Sequence, residues 1–220
     1  FAGGCTLEAA AAICISPSNT SPQDEFTVLD TLTHLVDKSL LIAENDSDVP
    51  PTPVPPACKP PNSQPLPQPA AAACTPVSPA SVVRYRLLET VRQYARDKLH
   101  SDQPAEPTDV SDRHLDFFLA LSETAEPGLT SKDQPLWLDR LSSEHENILA
   151  ALDWCAGADS PSDNTQRNYP QLGLRLVGAL ARFWGIRGHL AIGSIAAARA
   201  LARDLSPTEP RAKALNSAGG

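Results

Sequence analysis

Arg84–His100 reads RYRLLETVRQYARDKLH, and the fold class rests on how it is interpreted. Tyr85-Arg86-Leu87-Leu88 predicts a short strand. From Glu89 the period changes: Leu88, Val91, Ala95 and Leu99 recur at helical spacing, the signature of one apolar face on an amphipathic helix. Five basic residues (Arg84, Arg86, Arg92, Arg96 and Lys98) stand against two acids, Glu89 and Asp97, in a chain whose formal charge is −8. A strand that runs directly into a helix closes the unit before it and opens the helical part after it.

Upstream, TLEAAAAICI at residues 6–15 predicts a helix with Thr6 as N-cap and Glu8 as the acid of the first turn. A loop of Ser, Pro and Asn residues runs from Ser16 to Asp24. Between Thr27 and Leu40, the residues Val28, Leu29, Leu32, Leu35, Val36 and Leu40 lie on one helical stripe. Leu40-Leu41-Ile42-Ala43 then predicts a strand. Between Asn45 and Ala80 stand 12 of the 22 prolines. Proline fixes φ and lacks the backbone donor, so this stretch is expected to be an extended excursion. The order is helix, helix, strand, long loop, strand, helix. That is a winged-helix arrangement spanning residues 1–101, with residues 45–80 as an enlarged wing.

Downstream, Asp102–Asp109 carries two prolines and predicts a linker, after which residues 110–220 form a second, α-helical domain. Val110–Glu126 is expected to be one helix, ended by Pro127-Gly128. Pro135–Cys155 predicts another, because Leu138, Leu141, His145, Ile148 and Leu152 alternate steps of three and four. Ala156–Pro170 reads as a connector. Two helices, Leu172–Arg187 and Leu190–Leu205, are expected around Gly188, and a further helical start comes after Pro210. The fold class is therefore mainly α with a small two-stranded wing.

Composition narrows the function. A pI near 5.0 and 5% aromatic residues argue against coating nucleic acid, which needs clustered cations or stacking rings. The cysteines, Cys5, Cys14, Cys58, Cys74 and Cys155, are odd in number and never form a CxxC pair, as expected of thiols in a reducing compartment. No apolar run approaches the ~20 residues of a membrane span, and no signal pattern opens the chain, so a cytoplasmic protein is expected. The chain has no methionine and opens and stops abruptly, so a piece of a longer protein is expected.

Residue by residue, the chemistry is sparse. The would-be recognition helix Thr27–Leu40 holds Asp30, His34, Asp37 and Lys38, a net charge of −1, whereas major-groove readers supply Arg, Lys, Asn or Gln. Arg84, Arg86, Arg92, Arg96 and Lys98 are the remaining candidates for a nucleic-acid or docking surface. His145 lies between Glu144 and Glu146, but adjacent helical residues point about 100° apart, so the three do not converge on one ion. GxSxG, HExxH and phosphate-loop motifs are absent. No catalytic residue, cofactor or metal ligand is expected in this chain.

In the last helix pair, Leu180, Ala181, Trp184, Gly188, Leu190, Gly193, Ala200 and Leu201 fall at the offsets of the tetratricopeptide pattern, which this pair resembles. Small residues there let two helices approach closely. Trp184 would mark a peptide-binding concave surface only if exposed. In chain order FAGGCTLEAAAAIC, VLDTLTHLVDKSLL, RYRLLETVRQYARDKL, RHLDFFLALSETAEPGL and WLDRLSSEHENILAALDWC together resemble the winged-helix and helical-repeat region of bacterial STAND-type regulatory ATPases. These include LuxR-type and SARP-like transcriptional regulators. The resemblance implies a nucleotide-binding module upstream, with the winged helix acting as an intramolecular lever against it; helix Glu89–His100 is expected to transmit movement of the repeats into the winged helix. It also implies helical repeats that receive a protein or small-molecule signal. A winged-helix transcription factor that binds DNA directly is the alternative, and an enzyme a more distant one.

Overall fold

The computed structural model describes residues 1–15, 22–45, 83–102, 106–157 and 167–218. The proline-rich excursion, with Cys58 and Cys74, lies outside the described residues. Among those described, the chain is mainly helical with a small antiparallel sheet.

Strand β1 (Cys5–Thr6) leads straight into helix α1 (Leu7–Cys14). Thr6 caps α1 as expected, its Oγ1 accepting from the Ala9 amide at 3.2 Å. Helix α2 (Pro22–Asp37) ends at a turn in which Ser39 adopts φ 57° and the Leu40 amide donates to the Leu35 carbonyl. Strands β2 (Leu41–Asn45) and β3 (Val83–Leu87) then pair, with Ala43 opposite Tyr85 and Glu44 opposite Arg84. The sheet has three strands in the order β1-β3-β2. The first is an addition to the two expected: two residues are too few to show an alternating pattern, and β3 supplies their register through Cys5 opposite Tyr85.

Side chains alternate across β3, so Tyr85 and Arg84 face opposite ways. Tyr85 joins Cys5, Ala9, Ala10 and Leu41 in a small apolar cluster covered by Val28, Leu32, Leu35 and Val36 of α2. Arg84 points away from that cluster and is itself buried.

Helix α3 (Glu89–Asp102) begins almost at once after β3. Helix α4 (Glu106–Gly128) starts earlier than expected, so most of the predicted linker is helical. Gly128 is the last residue of α4, and a Cβ on it would stand 2.2 Å from Cδ1 of the Trp137 indole. The single helix expected over Pro135–Cys155 is two: α5 (Gln134–Ser143) and α6 (His145–Gly157), broken at Glu144. Helix α7 (Tyr169–Arg187), capped by Asn168, and α8 (Leu190–Arg203) form a hairpin around Gly188, and α9 (Glu209–Ala218) returns against α7.

The main core runs through α4 to α9 and also takes in Ile13 of α1. Leu115, Phe118, Leu141, Ile148, Leu174, Leu176, Leu180 and Phe183 are fully enclosed there. Each such side chain contributes about 1.5–3 kcal/mol through removal from water. Phe1 and Phe117 pack against both clusters, so apolar contact is continuous from the sheet to the helical layer.

Candidate interaction surfaces and the clamp between sheet and helices

The expected coupling element is α3, through Leu88, Val91, Ala95 and Leu99. The structure corrects this. Leu88 is 43% exposed, Ala95 is exposed and Val91 only half-buried, while the Leu99 side chain lies outside the described residues. An amphipathic period records a face that prefers burial, but this helix leaves the sheet without a packed neighbour along most of its length.

The polar contact between sheet and helical layer is made by Arg84. Its Nη1 donates to Glu144 Oε1 at 2.6 Å and its Nη2 to Glu144 Oε2 at 3.2 Å, the forked geometry of guanidinium on carboxylate. The same side chain donates from Nε to the Gly3 carbonyl at 3.1 Å and from Nη2 to the Ser143 carbonyl at 2.7 Å. Asn147, fully buried, completes the set. Its Nδ2 donates to Glu144 Oε2 at 2.7 Å and to the Gly4 carbonyl at 2.8 Å. Its Oδ1 accepts from the amides of Ala2 at 2.7 Å and Gly3 at 3.2 Å.

Two charges and an amide taken from water cost several kcal/mol unless every lone pair and proton is engaged. Here the engagement ties β3, the Ala2–Gly4 backbone and the α5–α6 break into one polar clamp. The two glycines are needed for it. A Cβ on Gly3 would stand 3.1 Å from Glu146 Cβ; on Gly4, which has φ +82°, it would stand 2.7 Å from both Arg86 Cγ and the Tyr85 carbonyl.

The break at Glu144 separates the three consecutive residues Glu144, His145 and Glu146. Glu144 faces Arg84, His145 accepts from the Trp184 indole at 3.2 Å, and Glu146 is exposed. Their side chains point to three different places, and among the described residues no group of three His, Cys, Asp or Glu side chains is placed to hold a metal.

A second polar set binds the helical layer internally. Asp112 of α4, itself buried, accepts from Trp154 Nε1 at 3.0 Å and from the Tyr169 hydroxyl at 2.9 Å. Burial and the hydrogen bond to Asp112 push the Tyr169 phenol up to about 12.

The five basic residues of the Arg84–Lys98 segment do not share one surface. Arg84 is enclosed in the clamp and is removed from any docking surface. Arg86 lies on the sheet beside Glu44 at 3.3 Å, with both side chains about half exposed. Arg92 is beside Glu89 at 2.5 Å and donates to the Ala2 carbonyl. Arg96 and Lys98 are on exposed turns of α3. On α2, Phe26 is 71% exposed, and Asp30 and His34 pair with each other across one turn at 3.4 Å. No Arg or Lys occurs between Pro22 and Asp37. Between α2, the sheet and the start of α3 opens a cleft of about 740 Å³, lined by Leu32, Leu35, Tyr85 and Leu88 and edged by Glu44 and Arg92.

Of the residues at tetratricopeptide offsets, Leu180 and Trp184 are buried in α7 and Ala200 is buried in α8, while Leu190 is 61% exposed. Gly188 takes φ +77° and ends α7, its amide donating to the Trp184 carbonyl. Gly193 passes directly beneath Trp184: a Cβ there would stand 2.8 Å from the ring's Cε3. With Trp184 enclosed, a peptide-binding role for its ring is excluded.

No helix among the described residues is long and apolar enough to cross a membrane. No family model matches the chain, and no solved structure matches it. Curated proteins similar to it carry the name "Putative HTH-type transcriptional regulator", from Mycobacterium bovis and from two strains of Mycobacterium tuberculosis. Each is 31% identical over 193 residues, which cover 88% of this chain and 16% of the relative. The chain thus spans about a sixth of the length of the relatives it matches.

Proposed function

We propose that this chain is the regulatory, protein-interaction portion of a helix-turn-helix transcriptional regulator of the STAND ATPase type. The winged-helix unit acts as an intramolecular lever against an upstream nucleotide-binding module. The helical layer, built as tetratricopeptide-like repeats, receives a protein or small-molecule signal. The chain carries no phosphate loop, so nucleotide chemistry belongs to that other module and no enzymatic step is assigned here.

The observation that supports this reading is the Arg84–Glu144–Asn147 clamp, which ties the sheet to the helical layer. A lever needs such a rigid joint; a free DNA-binding head does not. The names of the relatives support a role in transcription, while the name belongs to proteins about six times the length of the matched stretch.

Direct DNA binding by the winged helix is the alternative, and those names are what favour it. Against it stands an α2 without Arg or Lys, on a chain of charge −8. A gel-shift titration of the chain at low salt distinguishes the two. The lever reading expects no shift that Arg92→Glu plus Arg96→Glu removes. Salt-sensitive binding abolished by that pair would establish the DNA-binding reading. In the full-length regulator, Arg84→Met together with Glu144→Leu, which removes the ion pair and leaves the Gly3 and Ser143 carbonyls without their donor, is expected to loosen the joint and uncouple signal from transcriptional output, with circular dichroism checking that the protein stays folded.

A further inference from the structure

Four aromatic rings gather where α6, α7 and α8 meet. His145 is the first residue of α6, and His189 is the residue before α8. Their imidazoles stack with centroids 4.9 Å apart and planes 17° from parallel. Phe183 lies edge-on to His145 at 5.6 Å and 6.2 Å from His189. The Trp184 indole Nε1–H donates to His145 Nε2 at 3.2 Å. A ring nitrogen that accepts carries no proton, so His145 is neutral here, with its hydrogen on Nδ1.

Several features oppose a second proton on His145. The Nε2 lone pair is already used by the indole. Burial first, and His189 second, hold His145 below the usual histidine range, with Glu146 acting the other way. The remaining charged groups nearby are engaged elsewhere: Arg187 with Asp139 of α5, and Glu144 with Arg84. The first turn of α8 carries no acid. Both imidazoles are only half-buried, so protons reach them without unfolding.

We propose that His145 forms an acid-sensitive joint: a proton taken up at its Nε2 breaks the Trp184–His145 bond and frees the start of α8, where His189 stacks on the ring, from α6. The joint is a property of this chain and stands whether or not the parent protein regulates transcription.

An NMR titration of the 220-residue chain from pH 8 to 5 tests it, following the imidazole signals of His145 and the indole Nε1–H signal of Trp184. The indole signal is expected to move with the histidine midpoint and to lose its protection from exchange on the acid side. His189→Phe keeps a stacked ring but removes the neighbour that lowers His145, and is expected to raise the His145 midpoint. His145→Gln offers the indole an acceptor that does not titrate and is expected to make its signal independent of pH. An indole signal unmoved from pH 8 to 5 in the native chain overturns the proposal, and that measurement needs no variant to fold.

Discussion

Arg84 and Glu144 are 60 residues apart in the chain, yet the guanidinium and carboxylate meet side by side with both nitrogen–oxygen pairs within 3.2 Å. This contact, with Asn147 beside it, holds the sheet to the helical layer. The period of α3 points elsewhere, to a helix that the fold leaves mostly in solvent.

Truncating Arg84 is therefore expected to be severe. Arg84→Ala leaves Glu144 buried without its counter-ion, a loss of about 3–5 kcal/mol. Urea denaturation followed by circular dichroism measures it. Arg84→Lys is expected to recover little, since one ammonium does not reproduce the fork that also reaches the Gly3 and Ser143 carbonyls. A lysine variant as stable as the native chain would show that charge alone, without geometry, suffices.

Gly193→Ala and Gly185→Ala should differ in sign. Alanine favours a helix over glycine by about 1 kcal/mol. At Gly185 nothing lies within 4 Å of the added methyl, so a gain of up to about 1 kcal/mol is expected. At Gly193 the methyl meets the enclosed ring of Trp184 at 2.8 Å, and overpacking of this kind costs about 1–3 kcal/mol. Melting temperatures of the two variants check the contrast; parallel changes would contradict the close approach of α8 to α7.

Acid should destabilise the chain through His114. Its ring lies 4.6 Å from Phe118 and 5.7 Å from Phe1, and burial lowers its pKa to about 4. Below an unfolded value near 6.5 the unfolded chain takes up the proton first, so stability falls as pH drops from about 6.5 to about 4, by about 3 kcal/mol in all. His145 shifts in the same direction. Denaturation midpoints of His114→Phe are expected to vary less with pH than those of the native chain; an unchanged slope would remove His114 from the account.

Leu88→Asp should be mild. At 43% exposure the side chain gives up little on substitution, and a change within about 0.5 kcal/mol is expected. Leu180→Ala, at a fully enclosed position, should cost about 2–5 kcal/mol. Equal losses in the two variants would mean that α3 is packed after all.

Elements whose signal is local are legible in the residues. The Thr6 cap, the helices α7 and α8 around Gly188 and the pairing of β2 with β3 all agree with composition and period. The break at Glu144 is not legible, because Leu138, Leu141, His145, Ile148 and Leu152 keep their steps of three and four straight across it. A bend changes the direction of a helix without changing the spacing of its stripe. Strand β1 is hidden for a related reason: its two residues become a strand only because β3 lies alongside.

Which stretches turn into helix and strand is written in the residue order alone, since period, caps and glycine positions act within a few residues of one another. The acidic character of α2 is written there too. What faces what emerges only once the chain has folded back on itself. Arg84 reads as a surface cation beside Arg86 and Arg92, and it is buried because the chain's return brings Glu144, Asn147 and the carbonyls of Gly3 and Ser143 around it. A charge enters a protein interior when distant groups complete its coordination, and no window of neighbouring residues contains those groups.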